Sequence, residues 1–120
     1  MQLSALSNDE ILGVATPIMD YLMSASTALD HECHIRDFTD RARSMIRPAR
    51  FLEICRSYQR EQGFFAAREL LTILRRPESV VVLWKQGFTR AKAEFLAQFL
   101  AELVLVEDGG RYLVEHVMVL

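Results

Sequence analysis

The sequence predicts an α+β fold, with N-terminal helices packed on a curved antiparallel sheet made by the second half of the chain. Three observations carry this. Val80-Val81-Val82-Leu83-Trp84 is a β-branched and aromatic run. Leu103-Val104-Leu105-Val106-Glu107 enters an Asp108-Gly109-Gly110 turn and returns through Tyr112 to Val119, which is a long hairpin. Ahead of both, helical spacings and helix caps fill the stretch from Ser7 to Gly63. Helices followed by a strand meander give the α+β class.

The first helix begins at Ser7-Asn8-Asp9-Glu10, a capping box in which the Ser7 hydroxyl serves the Glu10 amide and the Glu10 carboxylate reaches back. Leu6 and Ile11 occupy the hydrophobic-staple positions. Ile11, Ala15, Ile18, Met19, Leu22 and Leu29 then recur at spacings of three and four. Pro17 interrupts this helix and is expected to kink it near Gly13. Asp30 to His34 is a polar break. Ile35, Phe38, Ala42 and Met45 suggest a shorter second helix. Pro48 suits the first position of a third, whose apolar stripe is Phe51, Leu52, Cys55 and Tyr58 and whose stop is Gly63.

Phe64 to Leu74 is the first candidate strand, Arg76-Pro77-Glu78-Ser79 a turn, and Val80 to Phe88 a second strand, apolar on both faces and therefore central. Lys92 to Leu103 is ambiguous. Phe95, Leu96, Phe99, Leu100 and Leu103 fit a helical stripe, while Phe95, Ala97, Phe99, Ala101, Leu103 and Leu105 alternate as one strand face. As a strand, this segment pairs with Val80–Phe88 on one side and Tyr112–Val119 on the other.

A chain of 120 residues is expected to be one domain, 1–120, with a core that needs no staples. The 14 basic and 16 acidic side chains leave a net charge of −2, which does not favour nucleic acid or an anionic membrane. The 51% hydrophobic fraction exceeds what one half-solvated sheet and a few helices need. The surplus implies a second buried surface, a pocket or an oligomer interface. Leu96, Leu100, Val104 and Val106 lie opposite the Phe95/Phe99 face, so a homodimer through the outer face of the sheet is expected. The start of the chain has no signal-peptide pattern, and residues 11–29 are too interrupted by polar side chains to span a membrane. A cytoplasmic location follows, with Cys33 and Cys55 as unrelated free thiols.

Several side-chain groups invite chemistry, and each has a plainer explanation. His31-Glu32-Cys33-His34 is the densest set of potential metal ligands, but no second cluster completes a site, so a solvated loop without metal is expected. His116 shares a strand face with Tyr112, Val114 and Met118 by alternation. There it is either a pocket base or a satisfied interface histidine. Trp84 and Gln86 share another face and either line a ligand cavity or fill the core. Tyr21 and Tyr58, from two helices, present hydroxyls to that hollow or to solvent. Arg36, Arg41, Arg43, Arg47, Arg50, Arg56 and Arg60 form a basic strip without interleaved exposed aromatics, so a solvated helical face is the default over nucleic-acid binding. There is no Gly-rich phosphate loop and no nucleophile elbow.

From about Phe38 to Leu120 the chain resembles the nuclear transport factor two-like (cystatin-like) superfamily. The residues that carry the resemblance are Tyr58, Gly63 and Arg68 leading out of the third helix, Val82-Leu83-Trp84-Lys85-Gln86, Ala101 through Glu107, and Gly109-Gly110-Arg111-Tyr112-Leu113-Val114. They look like small bacterial members of unassigned function. The resemblance implies a cone-shaped fold and a strand over Lys92–Leu103. The chain differs from larger members in having no strand between its first helices. It also lacks the spaced Asp and Tyr residues of the isomerase and polyketide-cyclase branches.

The function expected from this reading is a small homodimeric module that binds an apolar ligand or a protein partner, with no cofactor. Tyr21, Tyr58, Trp84, Gln86 and His116 are its candidate pocket residues. An isomerase or dehydratase with a proton-abstraction site in the cone is the alternative, using His116 or a carboxylate as base. Nucleic-acid binding through the arginine strip is a further one. A lone imidazole without a positioned partner favours binding over turnover.

Overall fold

The computed structural model describes residues 2–90 and 99–120. A 3-10 turn at Leu3–Ala5 leads into helix α1 (Asn8–Thr27), followed by α2 (His31–His34), α3 (Asp40–Ser44) and α4 (Pro48–Gln62). Strands β1 (Phe65–Arg75), β2 (Ser79–Phe88), β3 (Phe99–Asp108) and β4 (Arg111–Val119) form one antiparallel sheet in chain order.

The helix signals work as expected at both ends. Ser7 and Glu10 make the reciprocal capping box that starts α1. Pro48 opens α4, and Gly63 closes it at φ 86°. A Cβ at Gly63 would sit 2.2 Å from the Thr89 hydroxyl, so glycine is required there for space as well as for backbone angle. α1 continues through Pro17, and both Gly13 and Pro17 are exposed, where water can serve the carbonyl that loses its helical donor.

Two helical expectations change. Asp30 to His34 is not a break: the Asp30 carboxylate accepts from the Cys33 amide at 3.0 Å and caps the short α2. The second helix is confined to Asp40–Ser44, because Phe38 instead bridges in parallel to Val114 of β4. The Thr39 amide donates to the Val114 carbonyl and the Val114 amide to the Asp37 carbonyl, which covers the middle of that sheet edge.

The sheet register sorts side chains into rows. On the helix-facing side run Arg75, Val80, Leu105 and Val114, then Ile73, Val82, Leu103 and Val117, then Leu70, Trp84, Ala101 and Val119. With Ile11, Ala15, Met19 and Leu22 of α1 these rows build the core. The opposite side carries Leu74, Val81, Val104 and His116 in one row and Thr72, Leu83, Glu102 and Met118 in the next. Phe99–Leu103 is strand, pairing with β2 and β4 as expected, and the helical alternative for those residues is set aside. The rest of that ambiguous segment, with Phe95 and Leu96, lies outside the described residues.

One irregularity decides the site. β4 is bulged between the pairs Leu105–Val114 and Val104–His116, so Glu115 is an extra residue and the alternation shifts by one. Tyr112 and Val114 face the helices, whereas His116 and Met118 face outward. The single strand face expected from simple alternation is therefore split.

Candidate functional site: an apolar cavity with one polar knot

Between α1, α4 and the open end of the sheet lies a cavity of about 320 Å³. α4 supplies Phe51, Cys55 and Tyr58 at spacings of four and three, which places them on one helix face. α1 supplies Met23 and Ser26, and α2 supplies His34. The sheet contributes Phe65, Phe88, Phe99 and Val117, each from a different strand. Ile54, Met118 and Leu120 stand at the mouth and are 42%, 41% and 65% exposed.

The sheet-side wall is aromatic. Tyr58 and Phe65 ring centroids are 4.8 Å apart, Phe65 and Phe88 5.2 Å, and Phe88 and Phe99 4.9 Å. These separations and tilts suit the ring quadrupoles. Across the cavity, His34 packs 4.8 Å from Phe51 and 5.4 Å from Phe38.

Three of the polar side chains in these walls gather in one knot, apart from His34 and Gln62. The Ser26 hydroxyl is 2.8 Å from the Tyr58 hydroxyl and 3.2 Å from the Cys55 sulfur. Gln59 Nε2 donates to the Ser26 and Thr27 carbonyls at 3.4 Å and 3.3 Å, tying α4 to the end of α1. Burial pushes the Cys55 thiol up despite the Ser26 contact, so it stays protonated near neutral pH and is a poor nucleophile. Burial also lowers the affinity of His34 for a proton. Its Nδ1 lies 3.2 Å from the Leu22 carbonyl, which can only accept, so the neutral ring carries its hydrogen there and keeps a lone pair on Nε2.

Of the side chains singled out in the sequence, Tyr58 lines this cavity. Tyr21 does not: its ring lies under the Arg36 guanidinium at 3.8 Å, and a hydrogen bond with the Cys33 thiol holds its hydroxyl above the usual phenol range. Trp84 faces the helices but is buried in packed core, with the Arg68 guanidinium 5.4 Å from its ring. Gln86 is 1% exposed and donates Nε2 to the Ala66 and Gly87 carbonyls at 3.0 Å and 2.9 Å. That serves backbone groups beside the β1 bulge, whereas its Oε1 has no hydrogen-bond partner among the described residues. His116 faces away from the cone because of the Glu115 bulge, and its Nε2 is 3.8 Å from Glu102. Trp84 and Gln86 thus lie side by side in the packed helix-facing side of β2, and His116 lies on the opposite face of the sheet.

Ser26, Cys55 and His34 line the cavity but are not among the pocket residues expected from the sequence, where Cys55 belongs to an apolar stripe and His34 to a cluster of potential metal ligands. Ser26 had a signal: it lies four residues after Leu22 on the buried stripe of α1, a polar side chain where an apolar one is expected. His34 gave less, since its position depends on α2 forming. Both α2 histidines are structural neighbours of Phe51, and His31 Nε2 lies 3.0 Å from the Ile46 carbonyl. Among the described residues no three His, Cys, Asp or Glu side chains converge as a metal site. In the arginine strip, Arg36 pairs with Asp37, Arg41 with Glu115 and Arg50 with Glu53, while Arg43 donates to the Arg36 carbonyl.

No protein-family model and no curated protein matches the sequence. Solved structures do match in shape. A variant of a designed nuclear transport factor two-like protein superposes with a TM-score of 0.61 at 9% identity, over 88% of this chain and 95% of that one. The chain has the nuclear transport factor two-like fold. A SEC-C motif containing protein from Rhodopseudomonas palustris gives the same TM-score of 0.61 at 11% identity, over 98% of this chain and 80% of that one. A protein from Bdellovibrio bacteriovorus matches with a TM-score of 0.51 at 9% identity, over 95% of this chain but 42% of its own length. At these identities the likeness establishes the fold, and function has to be argued from the site. Among the described residues no helix is long and apolar enough to cross a membrane.

Proposed function

We propose that this nuclear transport factor two-like domain is a binding module that holds one small apolar ligand in the cavity between α1, α4 and the sheet. The observation that carries the reading is the Ser26–Tyr58–Cys55 knot set in a wall that is mostly aromatic and aliphatic, with His34 and Gln62 as its other polar side chains. Apolar walls supply affinity, and one polar spot fixes orientation, which is the usual division of labour in a ligand site. The cavity volume lies at the small end of the range for such sites. The neutral solvatochromic dye Nile red tests this. Saturable binding is expected, and Ile54→Trp, which fills the mouth, should weaken it at least about tenfold. Equal binding by the Ile54→Trp protein would overturn the reading.

The same proposal includes a homodimer formed through the outer face of the sheet, working in the cytoplasm. On that face Leu74 is 46% exposed and Leu83 is half-buried, while Val81 and Val104 between them are already buried, so Leu74 and Leu83 are the apolar side chains this interface would cover. The two free cysteines suit a reducing compartment.

One observation favours a second reading, an enzyme of the isomerase type: the neutral His34 keeps a basic lone pair in the wall that also holds the Tyr58 hydroxyl. Deuterium exchange at the carbon beside the carbonyl of tetralone, faster with the protein than with its His34→Gln variant, would support turnover. Equal rates would sink it.

A further inference from the structure

We infer that the cavity selects an uncharged, ring-bearing molecule that carries a hydrogen-bond acceptor and rejects carboxylates and ammonium ions of the same size; this rests on the binding reading above. The lining carries no Asp, Glu, Lys or Arg side chain among the described residues. A bound ion would therefore lose its hydration with no countercharge from a side chain of the described lining, a far larger cost than burying a neutral polar group. The titratable His34 and Cys55 side chains of the wall do not fill that role. Burial holds His34 in its neutral form and the Cys55 thiol in its protonated form. Gln59, behind the knot, is neutral as well.

Counting hydrogens in the knot gives the ligand's polar group. Ser26, Tyr58 and Cys55 carry one hydroxyl or thiol hydrogen each, and two contacts join them, Ser26 with Tyr58 and Ser26 with Cys55. Two contacts use two of the three hydrogens; run from Cys55 to Ser26 to Tyr58, they leave the strongest donor, the Tyr58 phenol hydrogen, free for the ligand. A carbonyl or hydroxyl oxygen on the ligand accepts it. The neighbouring Tyr58, Phe65 and Phe88 rings present faces and edges at centroid spacings of 4.8 to 5.9 Å, a surface that suits a flat ring system better than a flexible chain.

The test uses naphthol, naphthoate, naphthylmethylammonium and unsubstituted naphthalene, titrated by fluorescence near neutral pH. Naphthol should bind at least about tenfold more tightly than either ion. Tyr58→Phe should weaken naphthol by about two- to tenfold, the effect of one neutral hydrogen bond, and leave naphthalene unchanged. The naphthalene control separates a lost hydrogen bond from a disturbed fold. Naphthoate or the ammonium ion binding as tightly as naphthol would overturn this inference while leaving the cavity as a ligand site. An equal loss for naphthol and naphthalene in Tyr58→Phe would overturn the assignment of the polar anchor. Saturable binding by none of the four would overturn both the inference and the binding function.

Discussion

The Ser26 hydroxyl on α1 lies 2.8 Å from the Tyr58 hydroxyl on α4, and this bond links the two longest helices at the wall of the cavity. It ties fold to site. The other direct polar links between the two helices among the described residues are the Ser26–Cys55 contact and the Gln59 amide to the α1 carbonyls.

Removing either hydroxyl should therefore show in stability as well as in binding. Tyr58→Phe is expected to cost about 1 kcal/mol in urea unfolding. Ser26→Ala should cost more, since Ser26 also meets the Cys55 sulfur. In a double-mutant cycle the pair should couple by about 0.5 to 1.5 kcal/mol, and strict additivity would show that the bond does not form.

His34 sets a pH dependence. Its folded-state pKa is lowered from 6.5 because burial disfavours the charged ring. Between the lowered value and 6.5 the unfolded chain binds the proton and the folded chain does not. Stability is thus full above 6.5 and falls as the pH drops below it. The carboxylates Glu115 and Asp30 also have lowered pKa values, but their contributions fade only below their ordinary values of 4.5 and 3.8. Urea midpoints between those ranges should slope with pH in the wild type and lie flatter in His34→Gln. Parallel slopes would show that the ring accepts a proton freely in the fold.

Gly63 and Gly109 both have positive φ, at 86° and 59°, yet only Gly63 is crowded. Gly109→Ala should cost about 1 kcal/mol, because it sits in the left-handed region with nothing within 4 Å of a new Cβ. Gly63→Ala should cost clearly more, since its Cβ would strike the Thr89 hydroxyl that accepts the Phe64 amide. Similar thermal unfolding of the two variants would contradict this account of the α4–β1 junction.

The outer sheet face should direct self-association. Leu83 sits mid-strand between Thr72 and Glu102 in that face. Sedimentation at micromolar concentration is expected to give a dimer for the wild type and a monomer for Leu83→Lys, whose charge would be buried in the pairing surface. A monomeric wild type, or a dimeric Leu83→Lys, would remove the sheet-face interface from the proposal.

Much of the fold was legible in the sequence because its signals are local. The Ser7–Glu10 box, Pro48, Gly63 and the Asp108-Gly109-Gly110 turn each dictate backbone geometry through their own chemistry. The run Val80–Phe88 announced a central strand because both its faces are covered or apolar. The site was harder to read because it depends on non-local facts. The Glu115 bulge reverses the face of His116, and strict alternation cannot show a bulge. Trp84 and Gln86 do face the helices, but residues from α1 and β1 fill the space above them. Ser26 and Tyr58 are 32 positions apart, and their meeting follows from how α4 packs on α1.

The most direct test of the central claim is a nuclear magnetic resonance titration of the labelled protein with naphthol. The account predicts saturating shifts at Ser26, Cys55, Tyr58, Phe65 and Phe88, with Leu74, Val81 and Leu83 on the outer face unchanged. Shifts confined to the outer face, or spread without saturation, would contradict a ligand site between α1, α4 and the sheet.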